Sequence, residues 1–404
     1  MAPARHVIVA GAGIAGLTAA LAMARAGLRV TVLEQVEKLE ETGAGIQLSP
    51  NANHILDTLG LRERLKAAAT APQAIRVMAG RTAREIARIP LGESAERRYG
   101  APFLTIHRAD LQALLVDAAR AHHDITLKLG IEVSDFAVHD NGVTVQGRRG
   151  RQMADERGIA LIGADGVWSK LRQRLSKSRR PHFSRRTAWR ALLPIKGMPE
   201  EFRSPLVHLW LGQDAHLVHY PVKHGTLLNV VAIVQEDWNE PGWSAPGERD
   251  VLLRHFARWT WSDEVREFLA TPKQWHKWAL YEGTLTPGEG PATLIGDAAH
   301  PILPFLAQGA GLAIEDAAVL AHMLGNYLDD PADALRGCEG ARRHRVERVQ
   351  NASRRQGRIY GATGPEALIR DLFMKALGGE KVLGRYDWLY SWRAPEFVAT
   401  ASRG

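Results

Sequence analysis

The sequence predicts an α/β chain: a Rossmann-like nucleotide-binding domain, an antiparallel-sheet domain interleaved with it, and C-terminal helices. Three observations carry this. A glycine turn, Gly11-Ala-Gly13-Ile14-Ala15-Gly16, joins an apolar strand to a small-residue helix near the N-terminus. Almost 300 residues later LIGDAAHPILPFLAQGAGLAIEDA, residues 294–317, runs from an apolar strand through a Gly-Asp turn and a proline-spaced loop to a second small-residue helix start. Between them, residues 186–233 change texture to runs rich in Trp, His, Val and Leu, which read as strands of an antiparallel sheet.

Taken in order, residues 7–10 read as a buried parallel strand, 14–26 as a helix and 30–34 as the next strand, a βαβ opening. Residues 6–28 are apolar enough to mimic an export signal. The glycines that punctuate them and the strand that follows fit the βαβ unit better, and no run is long enough to span a bilayer. Residues 43–47, Gly-Ala-Gly-Ile-Gln, form a close-approach loop, and 53–59 an amphipathic helix stopped by Gly60. Residues 75–89 alternate, as strands leaving the first sheet do. Residues 108–121 form a helix with Leu111, Leu114, Leu115 and Ala118 on one face, and 125–145 short strands with a hairpin at Asn141-Gly142. Residues 159–163 deliver Ala164-Asp165-Gly166 to a helix start near Ser169; 249–268 is helical, and 275–281 returns to the second sheet. The domains expected are 1–72 with 100–180 and 284–360 for the nucleotide, 73–99 with 181–283 for the substrate sheet, and 361–404 as a helical tail.

Composition narrows the class of protein. A chain of 404 residues, 45% hydrophobic and 24% charged, buries a large core in the manner of a soluble globular protein. Its single cysteine, Cys338, excludes an internal disulfide framework and a cysteine-based zinc site, fits a reducing, cytoplasmic setting, and reads as a packing residue. A net charge of +8 and a pI near 9.7 permit nucleic-acid binding. However, Arg179-Arg180, Arg185-Arg186 and the helical tract 342–358 lack interleaved aromatic platforms, and Glu347 interrupts the last. They read as solvated faces and as a field attractive to anionic nucleotides and carboxylates. The expectation is a monomer or homodimer with no nucleic-acid or membrane partner.

The motifs specify chemistry. In GxGxxG the glycines permit a tight turn, a close approach to pyrophosphate and close helix–strand packing, and the helix N-terminus favours phosphate charge. Glu34, 18 residues past Gly16, ends the second strand where it can accept from ribose hydroxyls. This does not distinguish flavin from nicotinamide. In His107-Arg108-Ala-Asp110, Asp110 is a candidate helix cap, and Arg108 reaches either a phosphate or flavin or a surface ion pair. Asp297 offers one carboxylate to sugar hydroxyls.

GAGIAG at 11–16, GADG at 163–166 and IGDAAHP at 295–301, in this order, resemble the three fingerprints of the single-component flavoprotein aromatic hydroxylases related to p-hydroxybenzoate hydroxylase. The resemblance covers residues 7 to about 361. It implies FAD, bound tightly but not covalently, with Gly11, Gly13, Ile14, Ala15 and Gly16 at its phosphates and Glu34 on its ribose. Gly45, Arg108 and Asp297 contact it, Asp165 serves both FAD and the pyridine nucleotide, and Pro304, Gly309, Ala310 and Gly311 lie at its reactive edge. NADH or NADPH docks transiently, since the chain has no second glycine fingerprint. The reaction implied is reduction of FAD by NAD(P)H, uptake of O2 as a flavin C4a-hydroperoxide, and hydroxylation of a small phenolic aromatic acid. GAGIQLSPNA at 43–52, IHRADL at 106–111, His216-Leu-Val-His219-Tyr220-Pro221 and the terminal YDWLYSW at 386–392 are similar to the salicylate, 3-hydroxybenzoate and 6-hydroxynicotinate subgroup. One departure is Gly311-Leu312, where many relatives carry Asn or Cys near 311; it bears on the flavin-side substrate contacts and supports the alternative reading, a pocket opened toward larger phenols or quinolones.

Activating a phenol calls for a nearby base or acceptor, and histidine has the right unperturbed pKa. In a strand, residues 216 and 220 share a face while 219 points away, which makes His216 and Tyr220 the substrate pair, against the alternative that they only pack the sheet. Gln308 either presents its amide to the substrate or stabilises its own loop. Gln47 is a weaker candidate, His300 beside Pro301 is structural, and Trp189 and Trp210 either wall the pocket or pack.

Overall fold

Short apolar runs, buried on both sides, build the first sheet of the computed structural model, which describes residues 5–39, 44–176, 180–240, 244–257 and 260–397. Its order is Ala292–Leu294, Ala160–Gly163, His6–Ala10, Arg29–Glu34, Ile125–Leu129, all parallel. Helices Ile14–Arg25 and Gly309–Asn326 pack on it and on each other, and both are rich in alanine and glycine, which lets their backbones approach closely. The expected hairpin at Asn141-Gly142 joins Glu132–His139 to Gly142–Arg149, with Gly142 at φ +136°. Ser169 caps helix Lys170–Leu175 by accepting from the Arg172 amide. Gly43, Arg179 and residues 398–404 of the tail lie outside the described residues.

The second sheet has eight strands among the described residues, ordered Ala245–Gly247, Trp275–Glu282, His182–Pro194, Leu227–Gln235, Ala215–Val222, Leu206–Gly212, Ala74–Ala79, Glu85–Pro90. It is antiparallel except where Leu206–Gly212 lies parallel to Ala74–Ala79, so the excursion at 74–90 docks onto this sheet's edge. One face is sealed by helices Arg249–His255 and Asp263–Ala270 over Trp189, Trp210, Leu217, Trp261 and Trp275. The single helix expected over 249–268 is thus two, with 258 and 259 outside the described residues. Trp261 lies so close to Gly80 and Gly212 that a Cβ at either would sit 2.3 Å from its ring. The other face turns toward the nucleotide-binding sheet.

Helix Pro331–Tyr360 then crosses the molecule, and short helices Gly364–Leu377, Gly379–Gly384 and Asp387–Tyr390 close the described chain. Here the reading of 342–358 as a solvated face fails at two positions. Arg342 and Arg345 are buried and pair with Glu315 and Asp316 of helix Gly309–Asn326, Arg342 at 2.8 and 2.7 Å and Arg345 to Glu315 at 2.7 Å. Burial of these carboxylates demands counter-charges, and the basic tract supplies them from the neighbouring helix. Arg345 also donates to the carbonyls of Trp388 and Leu389, fastening the tail. Cys338 is buried in the main core, as a packing residue. No helix among the described residues is long and apolar enough to cross a membrane.

Candidate active site

The glycine turn works through three different constraints. Gly11 has φ +109°, and a Cβ there would lie 2.5 Å from the Ala164 carbonyl oxygen; one at Gly16 would lie 1.9 Å from the Gly11 oxygen. A Cβ at Gly13 meets nothing within 4 Å, because Gly13, Ile14 and Ala15 face an open cleft. Gly11 and Gly16 shape the turn from beneath. Glu34 accepts from the Ala12 amide at 2.7 Å and the Val36 amide at 3.1 Å, which fixes its carboxylate beside the turn.

From there the cleft, about 1370 Å³ including its open mouth, runs past Gly45, Arg108 and Asp297 to Pro304, Ala307, Gly309 and Ala310. This length and the free amides at the helix start fit an extended dinucleotide. Burial raises the pKa of Asp297 while the neighbouring Arg108 opposes the rise. Gly45 is held by donation of its amide to Asn229 Oδ1 at 2.6 Å, and a Cβ there would stand 2.6 Å from the Tyr220 ring, so glycine lets this loop lie against the sheet. Ala307, a non-glycine residue at φ +53°, turns the proline-spaced loop into the cleft.

The second sheet closes the far wall with Arg190, His216, Val218, Tyr220, Val231 and Ile233. A second, mostly apolar chamber shares Gln47, His216, Val218, Pro304 and Ala307 with the cleft and continues under Leu209, Tyr360, Leu383, Tyr386 and Tyr390. His216 thus stands at the junction of the two, its ring 5.4 Å from Phe305 and 5.1 Å from Tyr360. Burial, with Arg186 nearby, pulls its pKa down to about 3, so the imidazole stays neutral and offers an unprotonated nitrogen to a hydrogen-bond donor. Burial pushes the Tyr220 phenol well above its ordinary value, opposed by Arg190 and a hydrogen bond with Gln47.

His219 lies on the opposite face, where Trp210 Nε1 donates to its Nε2 at 3.0 Å and its ring stacks on His208 at 4.4 Å. Trp189 and Trp210 belong to that face too, so neither walls the cleft. Gln308 is 1% exposed and turned away: its Nε2 donates to Ser49 Oγ at 2.9 Å, and its Oε1 accepts from Asn51 at 3.1 Å. Asn51 also donates to Glu315 at 2.7 Å. A Cβ at Gly311 would stand 2.9 Å from Gln308 Oε1, so the Gly311-Leu312 departure makes room for that inward amide and leaves the pocket unwidened. Gly311 is buried on the Gln308 side, while Gly309 and Ala310 face the cleft.

Asp165 lies under the cleft floor formed by its neighbours Ala164 and Gly166, and one carboxylate oxygen accepts from the Lys170 and Leu171 amides at 2.9 and 3.3 Å. Asp110 does not cap its helix: His107 holds the N-cap position, and Asp110 pairs with Lys223 at 3.1 Å. His300 bonds Asp316 at 2.6 Å as a structural residue. Sequence reading missed Arg190, Asn229 and the tail tyrosines. For Arg190 a signal existed, a charge at an alternate position of the run Ala188-Trp-Arg190-Ala-Leu192, whose neighbours on the same face are apolar.

Comparison with known proteins agrees with this geometry. A profile of the FAD binding domain family matches residues 4–353. The chain is 37% identical over 388 residues to a 3-hydroxybenzoate 6-hydroxylase of Aquipseudomonas alcaligenes, covering 95% of this chain and 97% of the other. It is 38% identical over 396 residues to a 3-amino-4-hydroxybenzoate 2-monooxygenase of Streptomyces platensis, with 96% of each covered. A salicylate hydroxylase solved as a substrate complex superposes with a TM-score of 0.79 at 27% identity, over 96% of this chain and 95% of the other. The chain therefore belongs to the FAD binding domain family of flavoprotein aromatic hydroxylases.

Proposed function

We propose that this FAD-dependent monooxygenase hydroxylates a small phenolic aromatic acid of the salicylate or 3-hydroxybenzoate type, consuming NADH or NADPH and O2. The observation that carries the reading is the junction at His216, where the nucleotide cleft and the aromatic chamber meet. FAD supplies the oxygen-transfer chemistry when bound, held by Gly13, Ile14, Ala15, Glu34, Arg108 and Asp297. The chain's own task is to bind the ring, keep water out and make the phenol electron-rich. The neutral ring of His216 accepts a hydrogen bond from the phenol hydroxyl without taking its proton, and the Tyr220 hydroxyl, kept protonated by burial, donates to the ring oxygen. Gln47, facing both chambers, sets the Tyr220 hydroxyl. Phe305, Tyr360 and the tail residues Leu383 and Tyr390 exclude water.

A second reading, a hydroxypyridine carboxylate or a bulkier phenol, draws on the extent of the chamber under the tail. Purified protein should be yellow, and substrate should accelerate its NADH oxidation. A panel of hydroxybenzoates, hydroxynicotinates and larger phenols, with products identified by mass and retention, separates the readings. Absence of both stimulation and hydroxylated product across the panel overturns the first.

A further inference from the structure

We infer that Arg190 anchors the carboxylate of the aromatic substrate, a specificity-determining contact that makes the site select anionic ring acids over neutral phenols; this rests on the hydroxylase reading above. Arg190 lies in the middle of strand His182–Pro194 and faces the cleft. Its Nε is buried with no hydrogen-bond partner, and no carboxylate among the described residues pairs with its guanidinium. The charged or ionisable groups that act on it are Tyr220 and a second cation, Arg108, so the protein supplies no anion here. Asp297, the acid of this cleft, sits instead in the field of Arg108, Arg172 and His300. A buried cation without a counter-charge is costly, and its presence in a ligand cleft points to an anion brought by the ligand.

The surroundings narrow that anion. Trp278 lies against the guanidinium, 5.3 Å from ring centroid to Cζ, which holds the fork in one plane suited to bidentate carboxylate binding. Across the sheet, Arg190 pairs with Val231 and Val231 with Val218, so His216 and Tyr220 stand two residues to either side of Arg190's line, two strands away. With strands ~4.8 Å apart and ~3.4 Å per residue, each lies about 12 Å from Arg190 between Cα atoms. An aromatic ring carrying a carboxylate at one end and a hydroxyl at the other spans the space left between those side chains. Neither a neutral phenol nor a purely apolar ring supplies the missing charge.

The test titrates FAD-loaded wild-type, Arg190→Gln and Arg190→Lys proteins with 3-hydroxybenzoate and with its neutral analogue 3-hydroxybenzamide, reading the flavin absorbance change without NAD(P)H. Arg190→Gln should weaken the acid by on the order of 30- to 100-fold and change the amide by no more than about 3-fold, with full FAD content; Arg190→Lys should recover part of the acid affinity. Equal weakening of acid and amide overturns the anchor. So does loss of FAD in step with loss of acid, which would assign Arg190 to the flavin. Acid binding that depends on Arg190 but yields no hydroxylated product keeps the anchor and overturns the hydroxylase reading. Wild-type protein that binds and hydroxylates the amide as well as the acid does the reverse.

Discussion

The two faces of the eight-stranded sheet carry similar residues and use them oppositely. On the cleft face, His216 and Tyr220 border an opening; three residues from His216, on the other face, His219 is locked between His208, Trp210 and Phe268. Burial depresses both imidazoles, so electrostatics alone does not tell them apart. What separates them is the partner. His219 Nε2 already receives a hydrogen bond from Trp210, while His216 packs against the Phe305 and Tyr360 rings and faces the junction of the two chambers. A histidine with a depressed pKa marks a reactive site only when it also faces space for a ligand.

The comparison can be broken most severely at Trp261, which fills the space over Gly80 and Gly212 on the packed face. Trp261→Ala should cost ~3–5 kcal/mol of stability in denaturant melts. The FAD-saturated turnover of whatever remains folded should stay close to wild type; a large loss of kcat in that folded fraction would dissolve the division between the faces. On the cleft side, His216→Leu, which removes the acceptor nitrogen, should lower kcat by on the order of 10- to 100-fold with an unchanged melting midpoint. A stable variant with normal kcat would return His216 to the packing residues.

Acid should probe the packed face. His208, pulled down to about 4, and His219, held well below its ordinary value by burial, are neutral in the fold and free to protonate once unfolded. Their folded values lie below the unfolded value, so their contribution is complete above pH ~6.5 and is lost as pH falls from there toward the folded values. Each such group adds a slope of ~1.4 kcal/mol per pH unit, and His208→Phe or His219→Phe should remove one group's share in urea titrations between pH 6.5 and 4.5. An unaltered slope would mean that these rings are not neutral spectators. The smallest effect is expected at Tyr220→Phe, which removes one hydroxyl: a rise in KM of about 10-fold or less, without loss of FAD.

Much of this division was legible in the chain. Strand periodicity of two assigns 216 and 220 to one face and 219 to the other from the sequence alone, because that alternation is a property of the backbone. The glycine turn and Asp297 were equally legible, since their constraints are local. What escaped depends on partners distant in sequence. Gln308 turns inward because Gly311 leaves space and Ser49 and Asn51 wait across the helix. Arg342 and Arg345 looked solvated because Glu315 and Asp316 lie about one helix earlier. Arg190 shows in the sequence only as a charge on an apolar strand face; that no acid stands beside it depends on the neighbouring strands.

The fastening of the tail has a consequence for how the protein can be taken apart. Arg345 grips the carbonyls of Trp388 and Leu389, Arg98 pairs with Asp387 at 2.7 Å, and the chain between carries Gly378 at φ +76° in a turn open to solvent. Leu383, Tyr386 and Tyr390 roof the aromatic chamber, whereas the glycine turn and Asp297 owe nothing to them. A single proteolytic cut at Gly378 followed by release of the fragment should therefore leave a yellow protein that still consumes reduced nicotinamide but wets its reaction chamber, converting a hydroxylase into a producer of hydrogen peroxide.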